Sequence, residues 1–253
     1  METALANALG IFTARQGSSM SDKNLIPLIG RPCACYGIDA LAGSKEILKN
    51  FVSTDDPRVE ALAIESGLAA VERPPELATD TASHGDVLKD FLDKIRAPEM
   101  ANLEILVVVL GNAPVICSQW IDGAISMLQS SPEASAVIPV IGDDDHHPFR
   151  GYWLDEKSQI EPVFNSFRGF GRPASNRQQL PRVVFPAHNF WALRLREGAL
   201  DVSGDGPWPY FGRTPRALQL DVERVDIHTA GDIPVVEREI ARLRSEGLID
   251  EPN

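Results

Sequence analysis

The chain has 253 residues, of which 43% are hydrophobic and 24% charged, and this composition is typical of a folded globular protein rather than a disordered or fibrous one. Its formal net charge is −12, so the chain as a whole repels phosphate backbones and we expect no nucleic-acid partner. The longest apolar run, Ile105–Leu110, is far too short to cross a bilayer, and we expect no association with a membrane. Three cysteines without the spacing of a disulfide framework, and the lack of an export signal, predict a cytoplasmic protein.

Short apolar runs alternate with helical periodicity along most of the chain. We predict strands at residues 8–12, 51–52, 103–110, 136–141 and 183–195. We predict helices at residues 32–43, 57–67, 87–95, 121–128 and 234–247. Residues 103–110 are apolar on both faces, which indicates a central, parallel strand. Strands that alternate with helices predict an α/β fold, in which a doubly wound, mostly parallel sheet forms the middle of three layers.

The alternation stops after residue 141, where a polar turn begins. From there to about residue 182 the chain is rich in Pro, Gly, Arg and aromatic residues, with a predicted hairpin at residues 152–154 and 160–164. This segment has too few apolar residues to form a core of its own. We therefore interpret residues 1–253 as a single domain with an insertion at about 142–182.

The loop that follows the first strand has the residue types of a phosphate site. It contains Arg15, Gly17, Ser18 and Lys23. Doubly wound sheets bind ligands at the carboxyl ends of their strands. There the backbone N–H groups of Gly17 and Ser18 can approach phosphate oxygens, while Arg15 and Lys23 supply positive charge. The loop lacks the Gly-Lys-Ser/Thr of a Walker motif, and taken alone it fits a solvated, Ser-rich turn as well as a phosphate cradle.

Further segments follow in order along the chain. They are Arg15-x-Gly17-Ser18 with Lys23-Asn24-Leu25, Ser53-Thr54-Asp55-Asp56, residues 72–81, His147-Pro148-Phe149, residues 176–181, and Val225-Asp226-Ile227-His228. In this order they resemble the acylneuraminate cytidylyltransferase family, the CMP-sialic acid synthetases and their relatives. The resemblance runs from about residue 8 to the final helix, and it implies a nucleotide-diphospho-sugar transferase-like fold.

The resemblance also implies a reaction and a set of roles. A hydroxyl of an acidic nine-carbon sugar would attack the α-phosphate of CTP, and pyrophosphate would leave. The nucleotide would be bound by Arg15, Gly17, Ser18, Lys23, Asn24, Arg73, Asp80 and Thr81. The sugar acid would be bound by Asn112, Arg150, Arg177, Gln178 and Asn189, with Phe190 and Trp191 as an apolar wall. A homodimer is implied too, in which residues 148–181 reach the sugar site of the neighbouring subunit.

A divalent metal, Mg²⁺ or alternatively Mn²⁺, would bridge phosphate oxygens and a carboxylate. Asp226 is the first candidate ligand and, with Arg15 and Lys23, a candidate catalytic residue. Alternation along an extended segment places residue 228 on the same side as Asp226. The family has a second aspartate at that position, whereas this chain has His228, which should weaken a Mg²⁺ site or favour a softer ion. A hydrogen-bonded core histidine is the alternative interpretation of His228.

Other departures from the family reduce the charge of the site. Leu110 and Asn112 occupy a turn where relatives have a glutamine and an acidic residue, and Ser19 replaces a lysine in the first loop. Two hypotheses follow. The chain is a cytidylyltransferase that activates a sialic-acid-like sugar, or it is a weakened or inactive relative that binds a nucleotide or a sugar. A nucleotidyltransferase with another sugar or base is a further alternative.

Overall fold

A mixed β-sheet of nine strands forms the centre of the described part of the protein. The computed structural model describes residues 8–16, 20, 22–95, 103–142, 146–166 and 176–250. In chain order the strands are β1 (Ala8–Thr13), β2 (Pro27–Leu28), β3 (Arg31–Pro32), β4 (Lys49–Ser53), β5 (Ala69–Ala70), β6 (Ile105–Leu110), β7 (Ala136–Gly142), β8 (Tyr152–Leu154), β9 (Ile160–Pro162), β10 (Val184–Pro186), β11 (Phe190–Arg196), β12 (Ala199–Leu200) and β13 (Pro215–Gln219). Strands β2 with β3 and β8 with β9 form two separate hairpins.

The α-helices of these residues begin and end within a few residues of the predicted positions. They are α1 (Cys33–Ala42), α2 (Pro57–Glu65), α3 (His84–Lys94), α4 (Ser118–Ser130) and α5 (Ile233–Ser245). Helix α2 begins where Asp56 caps it, because the Asp56 carboxylate accepts a hydrogen bond of 3.0 Å from the N–H of Arg58. Within the described residues, no helix combines the length and apolar character needed to span a membrane.

The sheet separates two apolar cores because β1 alternates its side chains between the faces. Ala8 and Phe12 pack with helices α1, α2 and α4 on one face. Leu9 and Ile11 pack with helix α3 on the other face. A third cluster joins α5 to α1 and to Val225 and Ile227. The predicted three-layer α/β architecture is confirmed.

The order of the strands corrects one expectation. Neighbouring strands follow the order β7-β11-β6-β1-β4-β5, with β10 and β13 paired to β7 and β12 paired to β11. Strand β6 is central, as predicted, and parallel to β1, but it is antiparallel to β11. An apolar run shows that both faces of a strand are buried, but it does not show the direction of the neighbouring strand.

The predicted strand at residues 183–195 is interrupted. Strand β10 pairs with the end of β7, whereas β11 pairs with β6 and the start of β7. Between them His188 has a φ of 55°, in the left-handed region, which stops the extended pairing. The predicted hairpin is present as β8 and β9, and the interpretation of residues 142–182 as an insertion into a single domain stays a prediction.

Candidate active site

A polar cleft of about 260 Å³ opens where β1 and β6 end. Its wall is formed by Thr13, Ala14, Arg15, Lys23, Asn24, Arg73, Leu77, Thr79, Asp80, Ala82, His84, Val87, Leu110, Gly111 and Asn112. The strands β1 and β6 are parallel neighbours, so their carboxyl ends bring the two loops that follow them to one place. The cleft therefore lies where a doubly wound sheet binds its ligand.

Asn24 fixes the first loop against the cleft wall. Its side-chain N–H₂ donates to the carbonyl oxygen of Arg15 at 3.0 Å, and the residue is buried. Gly111 makes room for this contact, because a Cβ at that position would lie 2.8 Å from the Cβ of Ala14 and 3.2 Å from the Oδ1 of Asn24. Only glycine lets the two loops approach this closely.

Two tethers join the same loop to the end of β4. The backbone N–H of Gln16 donates to the Asp55 carboxylate at 2.7 Å. Arg58 donates from Nε and Nη2 to both oxygens of the buried Asp56 carboxylate, at 3.0 and 2.8 Å, and also contacts Asp22. A bidentate pair fixes the direction of the guanidinium, so Arg58 holds the loop next to Lys23.

Three cations converge on the cleft. Burial lowers the pKa of Lys23, and the carboxylate of Asp226 opposes this by raising it. Burial lowers the pKa of Arg73 to about 10, and the positive charge of Arg15 contributes to that shift. Arg15 pairs with the exposed carboxylate of Asp80 at the cleft wall. Arg73 stays protonated at neutral pH, so the three positive side chains repel one another. A bound polyanion would reduce this repulsion.

Asp226 lies beside this cleft rather than in its wall. Two backbone hydrogen bonds hold its segment against the loop after β6, from the N–H of Val115 to the oxygen of Val225 at 3.3 Å and from the N–H of Ile227 to the oxygen of Asn112 at 3.0 Å. Burial raises the pKa of Asp226. Because the carboxylate of Asp226 raises the pKa of Lys23, the aspartate is near the cationic end of the cleft.

Asp226 and His228 face the same side, as the alternation predicted. The Nε2 of His228 lies 2.7 Å from the Oδ2 of Asp226. The side chain of His228 is 61% exposed, so the alternative interpretation of a core histidine is wrong. Its backbone N–H donates to Asp232 at 2.9 Å, which fixes the turn before α5.

The donor set of this region fits a metal ion that is bound mainly through phosphate. No group of three or more His, Cys, Asp or Glu side chains in the described ranges has the arrangement of a complete metal site. Magnesium at nucleotide sites keeps several waters and commonly needs only one or two protein carboxylates besides the phosphates. Asp226 meets that need, since His228 contacts only one of its carboxylate oxygens.

Asn189 and Phe190, which were predicted to bind the sugar, are buried inside the protein, and this corrects their assignment. Asn189 is fully buried; its amide donates to the oxygen of Val115 at 3.1 Å and accepts from the N–H of Phe190 at 3.0 Å. Phe190 is also fully buried, in the core shared with α1 and α4. Asn189 thus supports the loop that carries Asn112, and neither side chain presents a surface to a ligand.

The remaining predicted residues lie outside the cleft wall or outside the described residues. Thr81 is exposed next to the cleft, with its hydroxyl 3.4 Å from that of Thr79. Arg150 and Gln178 belong to short 3₁₀ turns between β7 and β10 and do not line the cleft. The side chain of Arg177, together with Gly17 and Ser18, lies outside the described residues.

A second cavity adjoins the cleft and was not predicted. It has a volume of about 610 Å³, and its wall is mostly apolar, formed by α3, β12 and the segment before β13. Trp208 and Tyr210 lie in this wall, and His84 lies in the walls of both cavities. We call this second cavity the aromatic groove. Trp191 packs behind it, with its ring centre 5.1 Å from that of His84 and 5.5 Å from that of Tyr210.

The chain thus has the fold and the cationic cleft of a nucleotide-binding α/β protein of the doubly wound class. A family model described as cytidylyltransferase matches residues 9–150, which is more than half of the chain. The chain belongs to this cytidylyltransferase family. The resemblance that the sequence motifs indicated is confirmed.

Curated relatives agree with this family. The chain is 44% identical over 246 residues to the N-acylneuraminate cytidylyltransferase of Streptococcus agalactiae serotype III (strain NEM316), an alignment that covers 94% of this chain and 57% of that protein. It is 26% identical over 147 residues to the 3-deoxy-manno-octulosonate cytidylyltransferase of Chlamydia abortus, covering 58% and 55% of the two chains. The chain therefore spans a little over half the length of these relatives.

Solved structures show the same fold. A CMP:2-keto-3-deoxy-manno-octonic acid synthetase complexed with CTP superposes with a TM-score of 0.65 at 17% identity, covering 93% of this chain and 98% of that chain. The 4-diphosphocytidyl-2C-methyl-D-erythritol synthase of Anaerococcus prevotii superposes with a TM-score of 0.60 at 14% identity, covering 93% and 96%. At these identities the likeness establishes the architecture.

Proposed function

We propose that this chain transfers CMP from CTP to a hydroxyl of an acidic nine-carbon sugar and releases pyrophosphate. The observation that carries the proposal is the meeting of Arg15, Lys23 and Arg73 with Asn24 in one cleft, at the ligand-binding edge of the sheet. The family supports nucleotide transfer, and the Streptococcus relative is an N-acylneuraminate enzyme by name.

The reaction needs positioning and charge neutralisation more than covalent chemistry by the protein. The sugar hydroxyl releases its proton to solvent, and its oxygen forms a bond to the α-phosphorus. The bond from that phosphorus to the bridging oxygen breaks, and pyrophosphate leaves with the electron pair of that bond. Arg15 and Lys23 would bind the triphosphate, with Arg15 released from Asp80 as the nucleotide enters. Asn24 would keep this loop in place through its contact with the Arg15 carbonyl.

We further propose that the protein requires Mg²⁺, with Mn²⁺ as a substitute, and that Asp226 would hold the ion together with the phosphate oxygens. A bound divalent ion would neutralise charge on those oxygens. Asn112 lines the cleft and offers a neutral amide, which can bind a hard cation without adding charge. His228 would orient Asp226, since the two side chains are in contact.

The aromatic groove is the proposed place for the sugar. It opens beside the triphosphate cleft, shares His84 with it, and has Trp208 and Tyr210 in its wall. An acyl group on the sugar would pack against these rings, whereas the carboxylate and hydroxyls would remain near the polar cleft. This replaces the predicted wall of Phe190 and Trp191. Phe190 is buried on the other face of the sheet, and Trp191 is buried behind the groove.

We propose a homodimer formed through the insertion. Strands β8 and β9 expose Tyr152, Leu154 and Ile160, with 57%, 72% and 62% of their surfaces accessible. Apolar side chains exposed side by side on a hairpin are typical of a protein interface. A second copy packed there would cover them and would carry its own Arg150, Arg177 and Gln178 towards a neighbouring sugar site.

We propose that the protein acts in the cytoplasm. Cys33, Cys35 and Cys117 are all free and buried, and unpaired thiols are typical of a reducing compartment.

The direct test is pyrophosphate release from CTP, with N-acetylneuraminic, legionaminic and pseudaminic acids as acceptors and Mg²⁺ or Mn²⁺ as the ion. The matched variants are Arg15→Ala and Arg238→Ala; Arg238 is an exposed α5 residue that pairs with Glu223 and lies outside the cleft wall. Arg15→Ala should weaken CTP binding at least tenfold, since it removes a charge-assisted contact of ~1.5–3 kcal/mol. Arg238→Ala should leave it unchanged. Equal CTP affinity of the two variants would remove the phosphate role of Arg15.

A binding protein without turnover is the second candidate, and the contact between Asp226 and His228 favours it. This contact engages one oxygen of the carboxylate that a metal would need. Calorimetry separates the two candidates: metal-independent CTP binding without pyrophosphate release would support the binding protein. Metal-dependent binding with turnover would support the enzyme.

A further inference from the structure

His84 stands between the two cavities of the site. It is the first residue of α3, follows the helix cap Ser83, and lines both the triphosphate cleft and the aromatic groove. Its ring packs edge to face on Trp191, with the ring centres 5.1 Å apart. Packing of this kind fixes the plane of the imidazole, so its two nitrogens point in defined directions.

The contacts of Thr13 favour one position for the proton on the ring of His84. The Thr13 hydroxyl donates its one hydrogen to the carbonyl oxygen of Val109, at 3.3 Å. Its oxygen lies 3.4 Å from the Nε2 of His84. With the hydroxyl hydrogen directed at Val109, Nε2 is the donor in this second contact, and we assign the lone pair of the neutral ring to Nδ1.

That lone pair is available to a ligand. Nδ1 of His84 has no hydrogen-bond partner among the described residues, and it is not among their buried, unsatisfied side-chain atoms, which are Asn50 Oδ1, Trp191 Nε1 and Arg244 Nε. Nδ1 therefore keeps some accessible surface, on a half-buried residue that lines both cavities. Burial, with the charges of Arg73 and His188, lowers the pKa of His84 to about 4, so the ring stays neutral at neutral pH.

We propose that Nδ1 of His84 accepts a hydrogen bond from a hydroxyl of the acceptor sugar in the aromatic groove and so selects and orients that substrate. The inference rests on the proposed function, because it assigns His84 as the residue that contacts the second substrate, the sugar, in the same site. The cationic donors Arg15, Lys23 and Arg73 share the cleft wall with His84, but none of them forms a described hydrogen bond to Nδ1, and the proposed triphosphate would engage them. A hydroxyl group, which donates, is the chemistry that this acceptor fits.

The main test compares wild type with His84→Phe, which keeps the aromatic packing against Trp191 but removes the acceptor. With CTP, Mg²⁺ and N-acetylneuraminic acid, the KM for the sugar should rise about tenfold, the value expected for one lost hydrogen bond of this class. The dissociation constant for CTP should stay within a factor of two of wild type. A variant with unchanged sugar KM, or with a loss confined to CTP binding, would overturn the proposal.

A second measurement needs no turnover. In protein with ¹⁵N-labelled histidine, the ring of His84 should show the Nε2–H tautomer, and addition of N-acetylneuraminic acid with a non-hydrolysable CTP analogue should shift the Nδ1 resonance. Thr13→Val should change the tautomer equilibrium, because it removes the oxygen that accepts from Nε2. An Nδ1–H tautomer, or an Nδ1 resonance that does not respond to the sugar, would contradict the inference. A wild-type protein that releases no pyrophosphate would count against the proposed function alone.

Discussion

Replacing Arg73 by methionine should stabilise the ligand-free protein and weaken its binding of CTP. Arg73 lies in the cleft wall, and its only hydrogen bond among the described residues is one of 3.4 Å from Nε to the hydroxyl of Ser53. In the described part of the chain it forms no ion pair. Burial lowers its pKa to about 10, well below the ordinary value of an arginine. Methionine retains most of the apolar stem without the charge.

The magnitude follows from the pKa. Each pKa unit corresponds to ~1.4 kcal/mol, so the penalty for the buried charge is on the order of 3 kcal/mol before partial exposure of the side chain and the lost hydrogen bond are considered. We therefore expect Arg73→Met to raise the free energy of unfolding by ~1–2 kcal/mol. Urea titrations at pH 7 without nucleotide would measure this difference.

The control is Arg73→Lys, which keeps a buried charge and should gain no stability. A thermal-shift series with CTP completes the experiment: wild type should gain stability from the nucleotide, and Arg73→Met should gain much less, because the charge that the triphosphate would neutralise is absent. A less stable Arg73→Met protein would refute the reasoning, since it would show that the arginine stabilises the empty fold.

Three further predictions concern stability and the shape of the cleft. Folding lowers the pKa of His84 to about 4, so between pH 6.5 and 4 the unfolded chain binds a proton at this residue that the folded chain does not. The free energy of unfolding of the wild type should therefore fall as the pH falls through this window. Urea titrations at pH 7 and 5 should show a smaller loss for His84→Phe. Gly111→Ala should reduce CTP affinity about tenfold by calorimetry, because the new methyl group would lie 2.8 Å from the Cβ of Ala14 and displace the loop. Arg194→Met should cost ~2–3 kcal/mol in urea titrations, because the Arg194 guanidinium donates to three backbone carbonyls at 2.5–3.2 Å near the end of α4; an unchanged midpoint would contradict that role.

The fold was predictable wherever burial was periodic. Helix α3 shows its apolar stripe clearly, with Val87, Leu88, Phe91 and Leu92 buried, and β1 alternates between two cores. The direction of β11 was not predictable, because an apolar strand reads the same next to a parallel or an antiparallel neighbour. The break at His188 depends on a left-handed backbone residue that is not a glycine, and sequence patterns rarely indicate such a residue.

The sequence predicted those site residues that directly follow neighbouring parallel strands. Arg15 follows β1 and Asn112 follows β6, and parallel neighbouring strands place such loops side by side. Asn189 and Phe190 were misassigned because a motif gives the residue type but not the direction of the side chain; one serves a loop and the other a core. His84 was missed because its role depends on Thr13, which is 71 positions away in the sequence.

A protein with a net charge of −12 can still bind a triphosphate, because most of its acidic groups lie away from the cleft. At an ionic strength of 0.1 M charges are screened over ~10 Å, so acidic groups on α5 or the far side of the sheet contribute little at the cleft. Arg15, Lys23 and Arg73 would act at contact distance, where screening is weak and partial burial lowers the effective dielectric constant. Of the nearby carboxylates, Asp80 pairs with Arg15 and Asp56 with Arg58, and the cleft wall has three cationic side chains but only one carboxylate, that of Asp80. The electrostatic potential at the cleft is therefore positive although the net charge of the protein is negative. The same net charge disfavours binding of long polyanions, because their phosphates would extend beyond the cleft into the negative potential.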